Sequence, residues 1–430
     1  MTADMVVSLA IFAVILVLIL TEKVHRTILG IFGACLMVAV GKLMGFYGEG
    51  EALLSIDFNV IGLLIGMMIV VGILAPTGFF EFLALWAGRA SKGNSFRLLL
   101  FLGAVTALVS ALLDNVTTVV VIAPVTIVLC EMFEVSPAPF LLSEALFSNI
   151  GGVATLIGDP PNIIIGSASG LSFNDFLINS APLMVVVWIA AALSFVFLFR
   201  GELAIHPDRF AHVETLDPWK EIKDPVVARK TLIVFGGAIV FFVLHRALDL
   251  TPAFIALSAA ALALLWVRPD VHETLQRVEW TVLMFFAGLF VMVGGLEASG
   301  LMEEAARSLA ALKDVNPVIV GIIIIWVSGL LSAVVDNIPI TIAIIPVMLG
   351  LQKEGIDIVP LWWALAFGVG LGGNGTVIGA SANVVVVSLS ERTSTPITSG
   401  YWTRKGLPTM LITLTVASAL YAVAYYVLYT

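Results

Sequence analysis

Residues Ser148-Asn149-Ile150-Gly151-Gly152-Val153-Ala154-Thr155-Leu156-Ile157-Gly158-Asp159-Pro160-Pro161-Asn162 form a polar island broken by glycine and proline between two apolar runs, 140–147 and 163–165. A continuous helix does not accommodate this composition, because two adjacent prolines remove N–H donors and glycines weaken helix interiors. A second island lies 221 positions later, where Gly372-Gly373, Thr376, Ile378-Gly379 and Asn383 repeat Gly151-Gly152, Thr155, Ile157-Gly158 and Asn162. In hydrocarbon every non-helical N–H and C=O needs a partner, so unwound segments persist only inside protein or along a polar cavity. Paired breaks in apolar segments point to the binding site of a transporter.

The surroundings of the islands are those of a membrane protein. Of 430 residues, 60% are hydrophobic and 12% charged, with a mean hydropathy of +1.09; a soluble domain carries about twice that charge. The first apolar run is followed by Glu22-Lys23-Val24-His25-Arg26 rather than a small-residue cleavage site, so it reads as a retained span. A net charge of −9 gives no basic footprint for nucleic acid. Cys35 and Cys130 both fall in apolar runs and define neither a disulfide framework nor a metal motif. His25, His206, His212, His245 and His272 lie in loops or at span ends, which speaks against an intramembrane histidine metal or haem site. The composition calls for no cofactor.

Apolar segments occur at 5–21, 27–43, 58–75, 96–131, 139–170, 182–199, 231–248, 252–267, 280–296, 317–351, 361–389 and 407–428. A span needs about 20 apolar residues. Segment 96–131 is interrupted by Asp114-Asn115-Val116-Thr117-Thr118 and segment 317–351 by Asp336-Asn337-Ile338-Pro339, which predicts two helical hairpins. If both are re-entrant and the N-terminus is outside, sixteen Lys and Arg lie on the inner face and five on the outer, a clear positive-inside bias. The prediction is therefore ten spans, two hairpins and both termini on the outer face of a cytoplasmic (inner) membrane.

At an offset of 222 the chain repeats itself: Val71-Gly72, Leu74 and Gly78 recur as Val293-Gly294, Leu296 and Gly300, and Ser110-Ala111 and Asp114-Asn115 recur as Ser332-Ala333 and Asp336-Asn337. Five crossings per half put the second half upside down. The expected fold is an all-α polytopic membrane protein, an inverted repeat of two five-span halves, each with a re-entrant helical hairpin and a broken transmembrane helix. The first repeat is 1–200 (hairpin 96–131, broken helix 139–170), the cytoplasmic linker 201–230, and the second repeat 231–430 (hairpin 317–351, broken helix 361–389).

Asp114-Asn115 and Asp336-Asn337 open the second hairpin arms, where Asp and Asn serve as helix caps. The same half-helix N-termini carry positive dipole ends and suit a site for protons or cations. Asp159 reads as a cap before Pro160 at the first helical position, whereas the second island has no carboxylate and Ser381 suffices there. Glu144 stands where the second half has Ala366. Asp114, Asp159, Asp336 and Glu144 are thus the proton- or cation-coupling candidates. No Lys or Arg falls at the hairpin tips or in the breaks, so a stable buried ion pair is not expected. Asn115, Thr117, Thr118, Asn149, Gly151, Gly152, Thr155, Asn162, Asn337, Thr341, Gly373, Asn374, Gly375, Thr376, Ser381 and Asn383 are the substrate-binding candidates; single polar residues of this kind also serve merely to join helices. The run 368–373 imitates a nucleotide loop, but no strand precedes it. Gly62-x-x-x-Gly66 and Gly166-x-x-x-Gly170 read as helix-packing positions.

Leu113-Asp114-Asn115-Val116-Thr117-Thr118, Ser148-Asn149-Ile150-Gly151-Gly152 and Leu156-Ile157-Gly158-Asp159-Pro160-Pro161-Asn162 together resemble the arsenite permease and sodium/proton antiporter (ArsB/NhaD) family of the ion transporter superfamily, in its P-protein-like branch. The resemblance covers nearly the whole chain. It implies a scaffold and a mobile transport domain of two hairpins and two broken helices, moving by an elevator-like mechanism. Dicarboxylate carriers of the superfamily bear Ser-Asn-Thr tips; here the tips read Asp-Asn-Val-Thr and Asp-Asn-Ile-Pro.

The leading expectation is proton-coupled efflux of arsenite and antimonite, because neutral hydroxyl and amide groups suit an uncharged oxyacid and the acids exchange protons. The alternative is sodium/proton antiport. A dicarboxylate carrier, a channel and an intramembrane aspartyl enzyme rank lower, the last because no Gly-x-Gly-Asp sequence occurs. For an arsenite pump the resemblance also implies a cytoplasmic arsenite-stimulated ATPase, with 200–230 as one surface for it. A homodimer is a further expected assembly.

Overall fold

The computed structural model describes residues 1–21, 23–203, 217–308 and 315–428, and among these the regular structure is entirely helical. His206 and His212, with the rest of linker residues 204–216, lie outside the described residues. Both hairpins and both broken helices form where the sequence places them. The first hairpin has arms Ser95–Ser110 and Asn115–Met132; the second has Pro317–Val334 and Asn337–Lys353. The first broken helix runs Ala138–Val153, unwinds, and resumes at Pro160–Ser169. Its counterpart runs Val359–Gly372, passes through two 3-10 turns, and resumes at Ser381–Ser390.

Six helix starts, at residues 3, 49, 58, 79, 95 and 115, recur 222 positions later at 225, 271, 280, 301, 317 and 337. The repeat therefore extends from sequence to architecture. Each half supplies three spans before its hairpin: Ala3–Leu20, Arg26–Met44 and Phe58–Leu74 in the first, Pro225–Leu248, Pro252–Val267 and Trp280–Ala298 in the second. One span follows each broken helix, Ala181–Leu198 and Ser399–Leu428. Eight of the described helices are long and apolar enough to cross a membrane, two of them being the hairpin arms Asn115–Met132 and Pro317–Val334. Ala3–Leu20 and Pro252–Val267 are shorter apolar helices, and each broken helix comes in two pieces.

Two boundaries differ from expectation. The span expected from residue 231 starts at Pro225, because the Asp224 carboxylate accepts the Val226 and Val227 N–H groups and Pro225 occupies the first helical position. The end of the predicted linker is thus helical, and the Lys223 N–H donates to the Thr77 carbonyl at 2.8 Å, docking it on the first half. The last span starts at Ser399 rather than 407. Its charged turn stays helical because Lys405 pairs with Glu202 at 2.8 Å and lies over the Phe199 ring at 5.0 Å.

The helices assemble as two bodies. In one, Arg26–Met44 packs on Trp280–Ala298 and Phe58–Leu74 on Pro252–Val267. Lipid tails are as apolar as these helices, so close backbone approach through small residues holds them together. Gly66 and Gly288 are repeat equivalents that do this work: a Cβ on Gly66 would sit 2.3 Å from the Ala256 carbonyl carbon, and one on Gly288 2.5 Å from the Gly30 oxygen. Gly62 also packs, against Ala253, as expected. Gly166 packs on Leu156, but Gly170 does not belong to a packing motif; it ends its helix at φ +72° with open space around it. In the other body, Ser95–Ser110 packs on Ala138–Val153 and Pro317–Val334 on Val359–Gly372, with the last span of each half alongside. Every residue of Ala138–Val153 is buried.

Between the bodies, Phe58–Leu74 touches Pro160–Ser169 and Trp280–Ala298 touches Asn337–Lys353. The repeat equivalents of these contacts would join Trp280–Ala298 to Ser381–Ser390 and Phe58–Leu74 to Asn115–Met132. Neither is comparably developed. Where the first of them would lie, a cleft of about 410 Å³ opens instead, lined by His25, Arg26, Glu279, Asp336, Ser381 and Val384 among others.

Candidate functional site

The two tips and the two breaks meet around Asp159. As the residue before Pro160, Asp159 has cap geometry, yet its side chain makes no capping bond. Pro160 and Pro161 leave the first two helical positions without N–H donors. The carboxylate is thereby released to the tips: the Asn115 amide donates to Oδ1 at 3.3 Å, and the Asn337 amide to Oδ1 and Oδ2 at 3.3 and 3.2 Å. One acid from a break is held by the first residue of both second hairpin arms.

Asp114 and Asp336 do cap those arms. Asp114 accepts the Thr117 N–H at 2.8 Å and the Thr117 hydroxyl at 2.5 Å; Asp336 accepts the Ile338 N–H at 3.2 Å. Pro339 offers no N–H at the position equivalent to Thr117, so the rest of the Asp336 carboxylate turns outward. It accepts the Ser381 hydroxyl at 2.7 Å. Ser381 is therefore not the cap of its helix, as the sequence suggested; that position is Ala380.

The amides continue the network. Asn115 also donates to Asn149 Oδ1 at 3.0 Å, and Asn149 donates to Asn374 Oδ1 at 2.9 Å and Asn383 Oδ1 at 3.1 Å. Asn149 thus bridges the halves. Asn162 and Asn383 serve the breaks themselves. The Asn162 amide donates to the Gly152 and Thr155 carbonyls at 3.1 and 2.8 Å, and the Asn383 amide to the Gly373 and Thr376 carbonyls at 2.7 and 2.9 Å. Each asparagine satisfies carbonyls that the lost helical turn would have left bare.

Several other candidates take structural positions. The Thr155 hydroxyl donates to the Ala111 carbonyl, and Thr376 to its repeat equivalent Ala333 at 2.5 Å, tying each break to its own hairpin tip. Thr118 and Thr341 bond to carbonyls four residues back. Glycines at the breaks admit neighbouring backbone: a Cβ on Gly151 would lie 2.2 Å from the Ala107 oxygen, one on Gly152 2.7 Å from the Gly158 oxygen, and one on Gly373 3.0 Å from the Gly379 oxygen. Gly375 faces Met410 and Ala333. Glu144 stands apart from the other acids, accepting the Thr126 hydroxyl at 2.5 Å.

Two charged residues missed by the sequence reading complete the site, and one of them forms a partly exposed ion pair with a tip acid. Arg26, at the start of the second span, donates to Asp336 Oδ2 at 2.9 Å and to the Ser381 hydroxyl at 2.5 Å. Glu279, before the Trp280 span, lines the cleft beside it. Both sit outside the hairpins and breaks, so their separation from Asp336 in sequence concealed them. The only sequence signal was a cation at a helix N-terminus, where the dipole disfavours it. Deep to Arg26 is a small cavity of about 20 Å³ that Asp114, Asn115, Asp159, Asn337 and Ser381 help to line. It has room for about one water-sized particle.

Comparison with known proteins places this site in context. A family profile described as "Citrate transporter" matches residues 16–368. The chain is 39% identical to a 46 kDa membrane protein of Mycobacterium leprae, over 96% of this chain and 97% of the relative. It is 40% identical to an uncharacterized transporter of Mycobacterium tuberculosis, over 98% and 99%. The human P protein is 33% identical over 98% of this chain and 60% of its own length. Among solved structures, the Alcanivorax borkumensis YdaH transporter, reported to have an unusual topology, superposes with a TM-score of 0.61 at 16% identity, covering 93% of this chain and 98% of that one.

Proposed function

The chain belongs to the citrate transporter (CitMHS) family of the ion transporter superfamily, and on that premise we propose that it is a proton-coupled antiporter of a small inorganic cation, with Na⁺ as the leading cargo. It is a multi-pass membrane transporter and not an enzyme. The observation that carries the proposal is the Asp159 carboxylate, held between both hairpin tips beside a cavity of about 20 Å³. Carboxylate and amide oxygens are hard ligands suited to Na⁺, and Asp159, Asp114 and Asp336 can exchange the cation for protons.

Citrate suits this site poorly. Four carboxylates, Asp114, Asp159, Asp336 and Glu279, surround a single guanidinium, and a tricarboxylate would meet net negative charge in a cavity much smaller than itself. Efflux of arsenite and antimonite is the second reading. The amide group formed by Asn149, Asn374 and Asn383 favours it, since neutral donors and acceptors suit an uncharged oxyacid, and an ATPase docked on 200–230 belongs to that reading alone. Both cargoes accord with the resemblance to arsenite permeases and sodium/proton antiporters.

Alternating access by elevator-like motion is supported by the unequal contacts between the two bodies. Repeat-related surfaces meet on one side and part around a cleft on the other. The exchange of those two arrangements would move the site across. The positive-inside bias puts the cleft on the cytoplasmic side of the inner membrane and both termini outside; the repeats 1–200 and 225–430 then form the two halves about the linker 201–224.

Reconstituted protein carrying a pH-sensitive dye inside the vesicles tests cargo directly. Na⁺ pulses are expected to move protons, with no response to citrate. A response to arsenite and none to Na⁺ would replace the leading cargo with the second.

A further inference from the structure

Arg26 is the first residue of the span Arg26–Met44, which packs within the body of outer spans, yet its guanidinium reaches across to the other body. It contacts Asp336 at 2.9 Å and Ser381 at 2.5 Å, and lies 5.5 Å from the centre of the Phe285 ring on its own side. Ser381 donates to the same Asp336 oxygen at 2.7 Å. One cation thus pins the second hairpin tip and the second break to the scaffold. A guanidinium is permanently cationic and holds its geometry through a planar fork of donors. At the start of a helix its charge opposes the dipole, so the position is sustained by what it meets across the cleft. The groups facing it there are Asp336, Ser381, His25 and Glu279, with Asp114 and Asp159 in the small cavity behind.

We propose that Arg26 is a tethered cation that latches the unloaded transport body to the scaffold through Asp336, and that loading of Asp336 by cargo cation or proton releases it. This rests on the coupling role given above to Asp336. An antiporter must not return empty. A fixed guanidinium that bonds the ionised tip only while no mobile cation neutralises it meets that requirement: the empty carrier is held on the cleft side, and the loaded one is free. Exchange of one cation for the other is allowed, and slippage is not.

Arg26→Ala, Arg26→Gln and Arg26→Lys test this in a Cys35→Ser background, with Val384→Cys reporting on the cleft. Val384 is exposed and lines it, whereas Cys130 is buried. In Na⁺-free buffer at high pH, an impermeant maleimide added from the cleft side should label the parent quickly. Arg26→Ala and Arg26→Gln should label more slowly, by roughly threefold or more, as the empty carrier redistributes; Arg26→Lys should restore most of the rate. Vesicles carrying the neutral variants should also leak Na⁺ without counter-transport. Parental labelling together with strict exchange in both neutral variants would overturn the latch. Absence of Na⁺-driven proton flux in the parent would instead remove the cargo assignment, and labelling would still decide the latch, with acid pH as the loading condition.

Discussion

Asn337 and Asp159 are 178 positions apart, and the Asn337 amide donates to both oxygens of the Asp159 carboxylate, at 3.3 and 3.2 Å. The bond joins the second hairpin to the first break, so the acid lacking a counterpart in the repeat is held by the half that lacks it. An isolated carboxylate in such a place is costly unless hydrogen-bonded or neutralised, and here it accepts amide donors from both halves.

Asp159→Asn keeps the shape but loses the exchangeable charge and turns a donor toward two donors. We expect coupled transport in proteoliposomes to fall by at least about tenfold, while the variant remains monodisperse in detergent. Full proton-coupled flux in this variant would show that coupling resides elsewhere.

Asn162→Ala and Asn383→Ala each remove an amide that donates to two carbonyls of a break. Leaving such groups bare costs about 1–3 kcal/mol each. Both variants should melt at lower temperature in detergent, Asn383→Ala by the larger amount, because its amide oxygen also accepts the Asn149 amide. Unchanged melting temperatures would mean that water or lipid headgroups already serve these carbonyls.

Gly151→Ala places a methyl group 2.2 Å from the Ala107 oxygen, in contact between backbones that cannot yield as a flexible side chain can. The expected cost is about 1–3 kcal/mol, with loss of transport as the first hairpin is pushed off the broken helix. Gly236→Ala, in a span where a Cβ meets nothing within 4 Å, should be neutral or stabilising by up to about 1 kcal/mol. Equal melting shifts in the two would contradict the packing described.

Glu144→Gln retains an acceptor for the Thr126 hydroxyl. Flux should stay within about twofold of the parent, since the bond, rather than the charge, joins the two helices there. A variant that still carries cargo but no longer moves protons would return Glu144 to the coupling set.

The sequence alone determined the inverted repeat, both hairpins and both breaks, to within a few residues. Their signals are local: polar residues, glycine and proline inside apolar segments stand out because unwound backbone is so costly in hydrocarbon. It also marked Asp114, Asp159 and Asp336 as a set, since repetition distinguished them from isolated caps. What only the tertiary structure decided is which side chains face the cavity and which hold the breaks together. Asn162 and Asn149 are both polar residues in one island, yet the first satisfies its own turn and the second crosses to the other half. Arg26 lies 310 positions from Asp336 at the end of a span with no unusual composition. Its one local mark, a cation at a helix N-terminus, does not identify a partner. Its partner is set by how two bodies of helices pack, and that depends on the shapes of surfaces far apart in the chain.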